Sequence, residues 1–78
     1  MSIKKDGRYG GNMIIYDPFY ATLKKKKFTE YKLVNEFGFS PNTFYRMKCG
    51  EHISTRTINT LCRVLDCSVS DIIKYVKE

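Results

Sequence analysis

Apolar residues recur at intervals of three and four from Asp17 onward, and a capping side chain precedes each apolar stretch. This combination is typical of short amphipathic helices. It predicts five helices, which begin at Asp17-Pro18, Thr29, Ser40-Pro41, Ser54 and Ser68. Because the connections between them are only a few residues long, the pattern indicates a compact, orthogonal all-α bundle.

The second and third predicted helices are joined by a tight connection. Their inward residues are expected to be Leu33, Val34 and Phe37, then Phe44 and Met47. The joint, Phe37-Gly38-Phe39-Ser40, combines a glycine that can adopt positive φ with an apolar residue and an immediate new cap. Such a joint sets the third helix across the second at a steep angle. We therefore expect the third helix to project one face outward.

The two ends of the chain differ from this helical pattern. Residues 1–12 contain three glycines among charged side chains, and we expect a flexible N-terminal arm there. Because Met13 opens the first apolar segment, these residues could also be a leader before a natural start at Met13, or a basic arm that touches DNA. Residues 13–78 would then form a single domain. Strand-like composition occurs at residues 13–16 and 75–77, where a brief pairing of the two ends is conceivable.

Composition and charge narrow the class of protein. A chain of 78 residues has room for one core, and its 42% of hydrophobic residues is too rich for a disordered chain. Its longest apolar runs are far too short to span a bilayer. The formal net charge of +6, carried mainly before residue 64, favours a polyanionic partner. Three cysteines, an odd number, indicate a reducing cytoplasm.

A set of apolar and glycine positions runs through the whole predicted bundle. In the motif these are Leu33, Val34, Phe37, Gly38, Phe39, Phe44 and Met47; beyond it they are Gly50, Ser54, Ile58, Leu61, Cys62, Leu65, Val69, Asp71, Ile72 and Ile73. Over residues 16–76 the chain thereby resembles the Cro/CI-type (XRE-like) family of bacterial and phage regulators. The resemblance implies a lambda-repressor-like fold with a helix-turn-helix whose third helix enters the major groove.

The exposed face of the third helix is the candidate for base reading. Because Phe44 and Met47 are expected to point inward, the opposite face of the helix should be exposed to solvent. This face carries Pro41, Asn42, Tyr45, Arg46 and, in part, Thr43. Asn42 can bond bidentately to adenine and Arg46 to guanine, while Thr43 or the Pro41 ring could touch a thymine methyl. A merely solvated helix face would carry the same residue types. We predict base contacts by these five residues.

Phosphate contacts are predicted around the motif, at Thr29, Lys32, Lys48, Arg56, Lys26 and Lys27. Lys26 and Lys27 also end a helix, where the helix dipole alone favours cations. Two positions depart from the resemblance, because many relatives carry glutamine where this chain has Glu30 and Pro41. Proline has no donor and phosphate repels glutamate, so we predict no DNA contact for Glu30.

Other chemistry is sparse. The soft metal ligands are Cys49, His52, Cys62 and Cys67, and their spacing matches no common zinc pattern. We find no nucleophile motif or P-loop. We therefore expect no metal, no cofactor, no small-molecule substrate and no enzymatic activity.

Two functions remain open at this stage. The first is a sequence-specific, double-stranded DNA-binding transcriptional regulator, most simply a repressor that occupies a promoter as a weak homodimer formed mainly on DNA. The alternative is a protein-interaction or antitoxin-like module that uses the same bundle. In that case Ile73, Tyr75 and Val76 would matter more than Arg46.

Overall fold

Within residues 13–77, four α-helices follow one another, flanked by two short strands. The structure is a computed structural model that describes residues 13–77; the predicted arm or leader, residues 1–12, lies outside this range. The elements are β1 (Met13–Ile15), α1 (Asp17–Lys26), α2 (Glu30–Phe37), α3 (Pro41–Lys48), α4 (Thr55–Leu65), a 3-10 turn (Val69–Asp71) and β2 (Lys74–Val76). None of the helices within this range is long and apolar enough to cross a membrane.

Side-chain caps fix the starts of three helices. The hydroxyl groups of Thr29, Ser40 and Ser54 accept hydrogen bonds from backbone N–H groups in the first turns of α2, α3 and α4, over 3.0, 3.2 and 3.1 Å. These starts are therefore confirmed. The predicted cap of α1 is wrong by one residue, because Tyr16 occupies the cap position and Asp17 is the first helical residue. There its negative charge still complements the positive end of the helix dipole.

The predicted fifth helix is wrong. Ser68 and Asp71 do form the expected capping contact, with the Ser68 N–H donating to the Asp71 carboxylate over 3.0 Å. The turn stops after Asp71 because the residues that follow pair as strand β2 with β1, antiparallel, with Ile14 opposite Tyr75. The possible pairing of the two ends is thus present.

The core joins all four helices and Ile72, the residue that follows the 3-10 turn. Its buried apolar residues are Tyr16, Phe19, Leu23, Leu33, Phe44, Met47, Leu61, Leu65 and Ile72. The Thr22 hydroxyl donates to the Asp71 carbonyl over 2.8 Å and so ties α1 to the 3-10 turn. Because two of the core residues belong to α3, the same packing that stabilises the bundle also decides which side of α3 faces solvent.

Candidate nucleic-acid interface

The turn between α2 and α3 depends on one glycine. Gly38 has φ of 77°, in the left-handed region, and its N–H and that of Phe39 both donate to the Leu33 carbonyl. A Cβ built at Gly38 would meet nothing within 4 Å, so conformation rather than space calls for glycine there. Phe39 is partly buried and its ring lies 5.8 Å from that of Phe44, plugging the joint.

One predicted member of the motif core lies elsewhere. Phe37 is 46% exposed, whereas Leu33, Phe44 and Met47 are buried as expected for inward residues. The Phe37 ring instead packs at 6.0 Å against Phe28, in the connection between α1 and α2. The last turn of α2 therefore covers the α1–α2 connection at the surface of the bundle, and the prediction that Phe37 belongs to the core is wrong.

The outward face of α3 carries the residues predicted to read bases. Pro41, Asn42, Tyr45 and Arg46 are exposed and Thr43 is half-buried, since Phe44 and Met47 turn inward one helical turn apart. Pro41 is the first helical residue, where its missing N–H costs no hydrogen bond. A hydrogen bond with Cys49, one turn later, raises the pKa of the Tyr45 phenol, so this group keeps its proton.

Arg46 is held by the loop that follows α3. Its Nη2 donates to the His52 carbonyl over 3.0 Å, and its Nε lies 3.7 Å from Oε1 of Glu51. The sequence pattern does not reveal these partners, because Glu51 and His52 follow the end of α3 and belong to no periodic face. Arg46 is about half exposed, so part of its guanidinium remains open to solvent.

Lys48 is also paired. Its Nζ lies 3.2 Å from Oε1 of Glu30, so the last residue of α3 is bound to the first residue of α2. Glu30, which was expected to make no DNA contact, thus holds a lysine that was expected to bind phosphate. The two charged groups therefore form an ion pair between α2 and α3, the two helices of the motif.

The remaining candidate phosphate contacts are dispersed. Lys27 is exposed at the end of α1 and Thr29 at the start of α2, where the Lys32 ammonium lies 4.7 Å from the centre of the Phe28 ring. The Lys26 Nζ donates to the carbonyl of Asp66, the residue that ends α4, over 3.2 Å. Arg56 is exposed in the first turn of α4.

The candidate metal ligands are spread over several elements. Among residues 13–77, no three His, Cys, Asp or Glu side chains come together closely enough to hold a metal ion. Cys62 and Cys67 are neighbours near the end of α4, and burial, together with the nearby Cys62, raises the pKa of the Cys67 thiol to about 11. At neutral pH this thiol is protonated and therefore a poor nucleophile and metal ligand.

A capped α2, a glycine turn and an α3 with one buried and one polar exposed face define a helix-turn-helix domain. Residues 21–78 match the family of Cro/C1-type HTH DNA-binding domains, and the chain belongs to that family. The crystal structure of transcriptional regulator VanUg aligns with 96% of this chain and 100% of its own, at a TM-score of 0.77 and 23% sequence identity. That likeness shows the fold. No match is found among curated proteins.

Proposed function

We propose that this protein is a sequence-specific, double-stranded DNA-binding transcriptional regulator that represses by occupying a promoter. The observation that carries the proposal is the outward face of α3, on which Asn42 and Arg46 stand beside Tyr45 above a buried Phe44 and Met47. A polar face on a rigidly docked helix suits the major groove, where amide and guanidinium groups discriminate bases. Family membership and the net charge of +6 support the same partner.

Each exposed group has a proposed role. Asn42 reads adenine and Arg46 reads guanine, while Thr43, Tyr45 and Pro41 contact neighbouring bases or thymine methyl groups. Phosphates are bound at the start of α2 by Thr29, Lys27 and Lys32, with further contacts from Lys48, Arg56 and Lys26. The proposal includes no catalytic step and requires no cofactor or metal.

A selection experiment tests the proposal directly. The protein is mixed with a pool of random duplexes, and the retained fraction is sequenced to obtain the preferred site. Binding to that site and to a scrambled duplex is then measured by fluorescence anisotropy at several salt concentrations. We expect one recurring motif and a steep loss of affinity with salt. Retention of duplexes without any shared motif would contradict sequence-specific binding.

The protein-interaction alternative has one observation in its favour. Tyr75 on β2 is 60% exposed, and Ile73 and Val76 beside it are only partly buried. The variants Tyr75→Ala and Arg46→Ala separate the two functions, since DNA reading requires the second residue and a protein contact at the strand requires the first. If Tyr75→Ala still binds DNA as the wild-type protein does but no longer represses transcription in vivo, the result would favour the protein-interaction alternative.

A further inference from the structure

One edge of the Arg46 guanidinium is occupied by groups of the loop that follows α3. Nε and Nη2 lie on the same edge of a guanidinium, and here that edge faces Glu51 and the His52 carbonyl, at 3.7 and 3.0 Å. Nη1 and the second N–H of Nη2 form the other end of the group. Two parallel N–H donors at that end match the O6 and N7 acceptors of guanine.

The loop that holds Arg46 is itself tied to the core. The Glu51 N–H donates to the Arg46 carbonyl over 2.9 Å, which closes the end of α3. The Glu51 carbonyl accepts from the hydroxyl of Tyr16 over 2.6 Å. Tyr16 is buried, and burial raises the pKa of its phenol, so the hydroxyl keeps the proton that it donates. The backbone of Glu51 is therefore held by the bundle, which places its side chain within reach of Arg46.

We propose that Glu51 is a positioning residue for Arg46, which it holds with the other end of the guanidinium directed at a guanine. This inference rests on the proposed function, because it assigns an orienting role within the same interface. An unrestrained arginine at a helix end has many rotamers and can reach phosphates as readily as bases. When one edge of the guanidinium is held in place, the other rotamers are excluded before DNA binds. The side chain is then positioned for one base contact in preference to the others.

Stability does not explain the arrangement. The Arg46 and Glu51 side chains are both about half exposed, and exposed ion pairs contribute little to folding. A carboxylate beside a DNA-binding face also repels phosphates and weakens binding to every sequence. Glu51 is thus expected to lower general affinity while it sharpens the preference at one base pair.

The test compares Glu51→Gln with the wild-type protein on two duplexes, the selected site and the same site with the guanine read by Arg46 replaced. A bidentate arginine contact discriminates by about five- to 150-fold. We expect Glu51→Gln to reduce the ratio of the affinities for these two duplexes severalfold, and to increase the affinity for scrambled DNA. Because Glu51 is exposed, the thermal unfolding midpoint of the Glu51→Gln variant should equal that of the wild-type protein.

Two controls separate positioning from charge. Glu36→Gln makes the same charge change at an exposed position of α2 and should leave the ratio unchanged. In an Arg46→Ala background, Glu51→Gln should no longer affect preference at that base pair, since the two residues act as one unit. A Glu51→Gln variant that keeps the wild-type ratio, or a Glu36→Gln variant that loses it equally, would overturn the inference. A wild-type protein without any preferred site would instead overturn the proposed function.

Discussion

The ring of Phe44 lies parallel to the ring of Phe19, with centroids 5.8 Å apart and planes inclined by 5°. Phe19 belongs to α1 and Phe44 to the middle of α3, and both side chains are almost fully buried. The contact joins the outward helix of the motif to the first helix of the bundle. Because Phe44 fixes the rotation of α3 about its axis, it decides that Asn42 and Arg46 face outward.

Replacing Phe44 with alanine should therefore destabilise the whole domain. The lost burial and the resulting cavity cost about 3–5 kcal/mol, a large part of the roughly 5–15 kcal/mol that folded domains possess. Urea denaturation followed by circular dichroism measures the change. Tyr45→Ala, at the exposed neighbouring position, serves as the control and should shift the midpoint little. An unchanged midpoint in Phe44→Ala would show that α3 is not held by this contact.

Gly38 should tolerate asparagine better than alanine. The site offers space for a side chain but requires φ of 77°, which costs most L-residues about 1–2 kcal/mol. Asparagine adopts this conformation more easily. We expect Gly38→Ala to lower the free energy of unfolding by roughly that amount and Gly38→Asn by clearly less. Equal losses in the two variants would mean that backbone conformation is not the reason for glycine.

The fold was predictable where local chemistry decides it. Thr29, Ser40 and Ser54 cap their helices, and a glycine in the left-handed region ends α2, as short-range sequence signals indicate. Contacts between separate segments explain the errors at the fifth helix and at Phe37. Pairing with β1 draws the end of the chain into a strand, and the ring of Phe28 offers Phe37 a partner at the surface. Neither partner is visible in the periodicity of the segment concerned.

The candidate site was predictable to a similar degree. The spacing of Phe44 and Met47 is sufficient to identify which side of α3 is exposed. It does not reveal that Arg46 and Lys48 already have partners, because Glu51 lies in a loop and Glu30 is on another helix. Which charged side chains pair between different elements depends on the angle and position at which the helices cross. The sequence pattern predicts that geometry only approximately.

Asn42 should contribute sequence preference. If it bonds bidentately to adenine, Asn42→Ala loses about 1–3 kcal/mol of discrimination at one base pair and little elsewhere. Asn35→Ala is the matched control, because Asn35 is exposed on α2 and its amide donates to the Tyr31 carbonyl over 2.8 Å. Anisotropy titrations on the selected duplex and its single-pair variants measure the effect. A uniform loss on every duplex would assign Asn42 to the phosphate backbone instead.

The Glu30–Lys48 pair should adjust general affinity without changing preference. Glu30→Gln removes both the partner of Lys48 and a charge that repels phosphate, so binding should tighten on all duplexes. Lys48→Gln should weaken binding uniformly and reduce the slope of log K against log salt by about 1. Titrations at four or so salt concentrations on selected and scrambled DNA give these slopes. If either variant ranks the DNA sequences differently from the wild-type protein, Lys48 contacts a base and not a phosphate.

Two copies of the protein should bind one operator. A single α3 offers two or three base contacts at about 1–3 kcal/mol each, and rejecting about 10⁶ competing genomic sites requires roughly 8 kcal/mol. One copy is therefore marginal, whereas two copies at half-sites about one helical turn apart double the discrimination and meet the requirement over most of this range. Among the described residues, the region of the two strands offers Ile14, Ile15, Ile73, Tyr75 and Val76 for a contact between copies, and of these five only Tyr75 is exposed. So small a set favours a dimer that forms mainly on DNA.

Sedimentation velocity of the protein alone and with its selected duplex measures this stoichiometry. We expect a monomer in solution and a complex of two copies per duplex, with cooperative binding. A duplex in which one half-site is scrambled is the control, and its affinity should fall well below half of that of the intact site, because the second copy no longer assists the first. A one-to-one complex with full affinity on a site without two-fold symmetry would contradict the prediction, and it would require a single α3 to supply all of the discrimination.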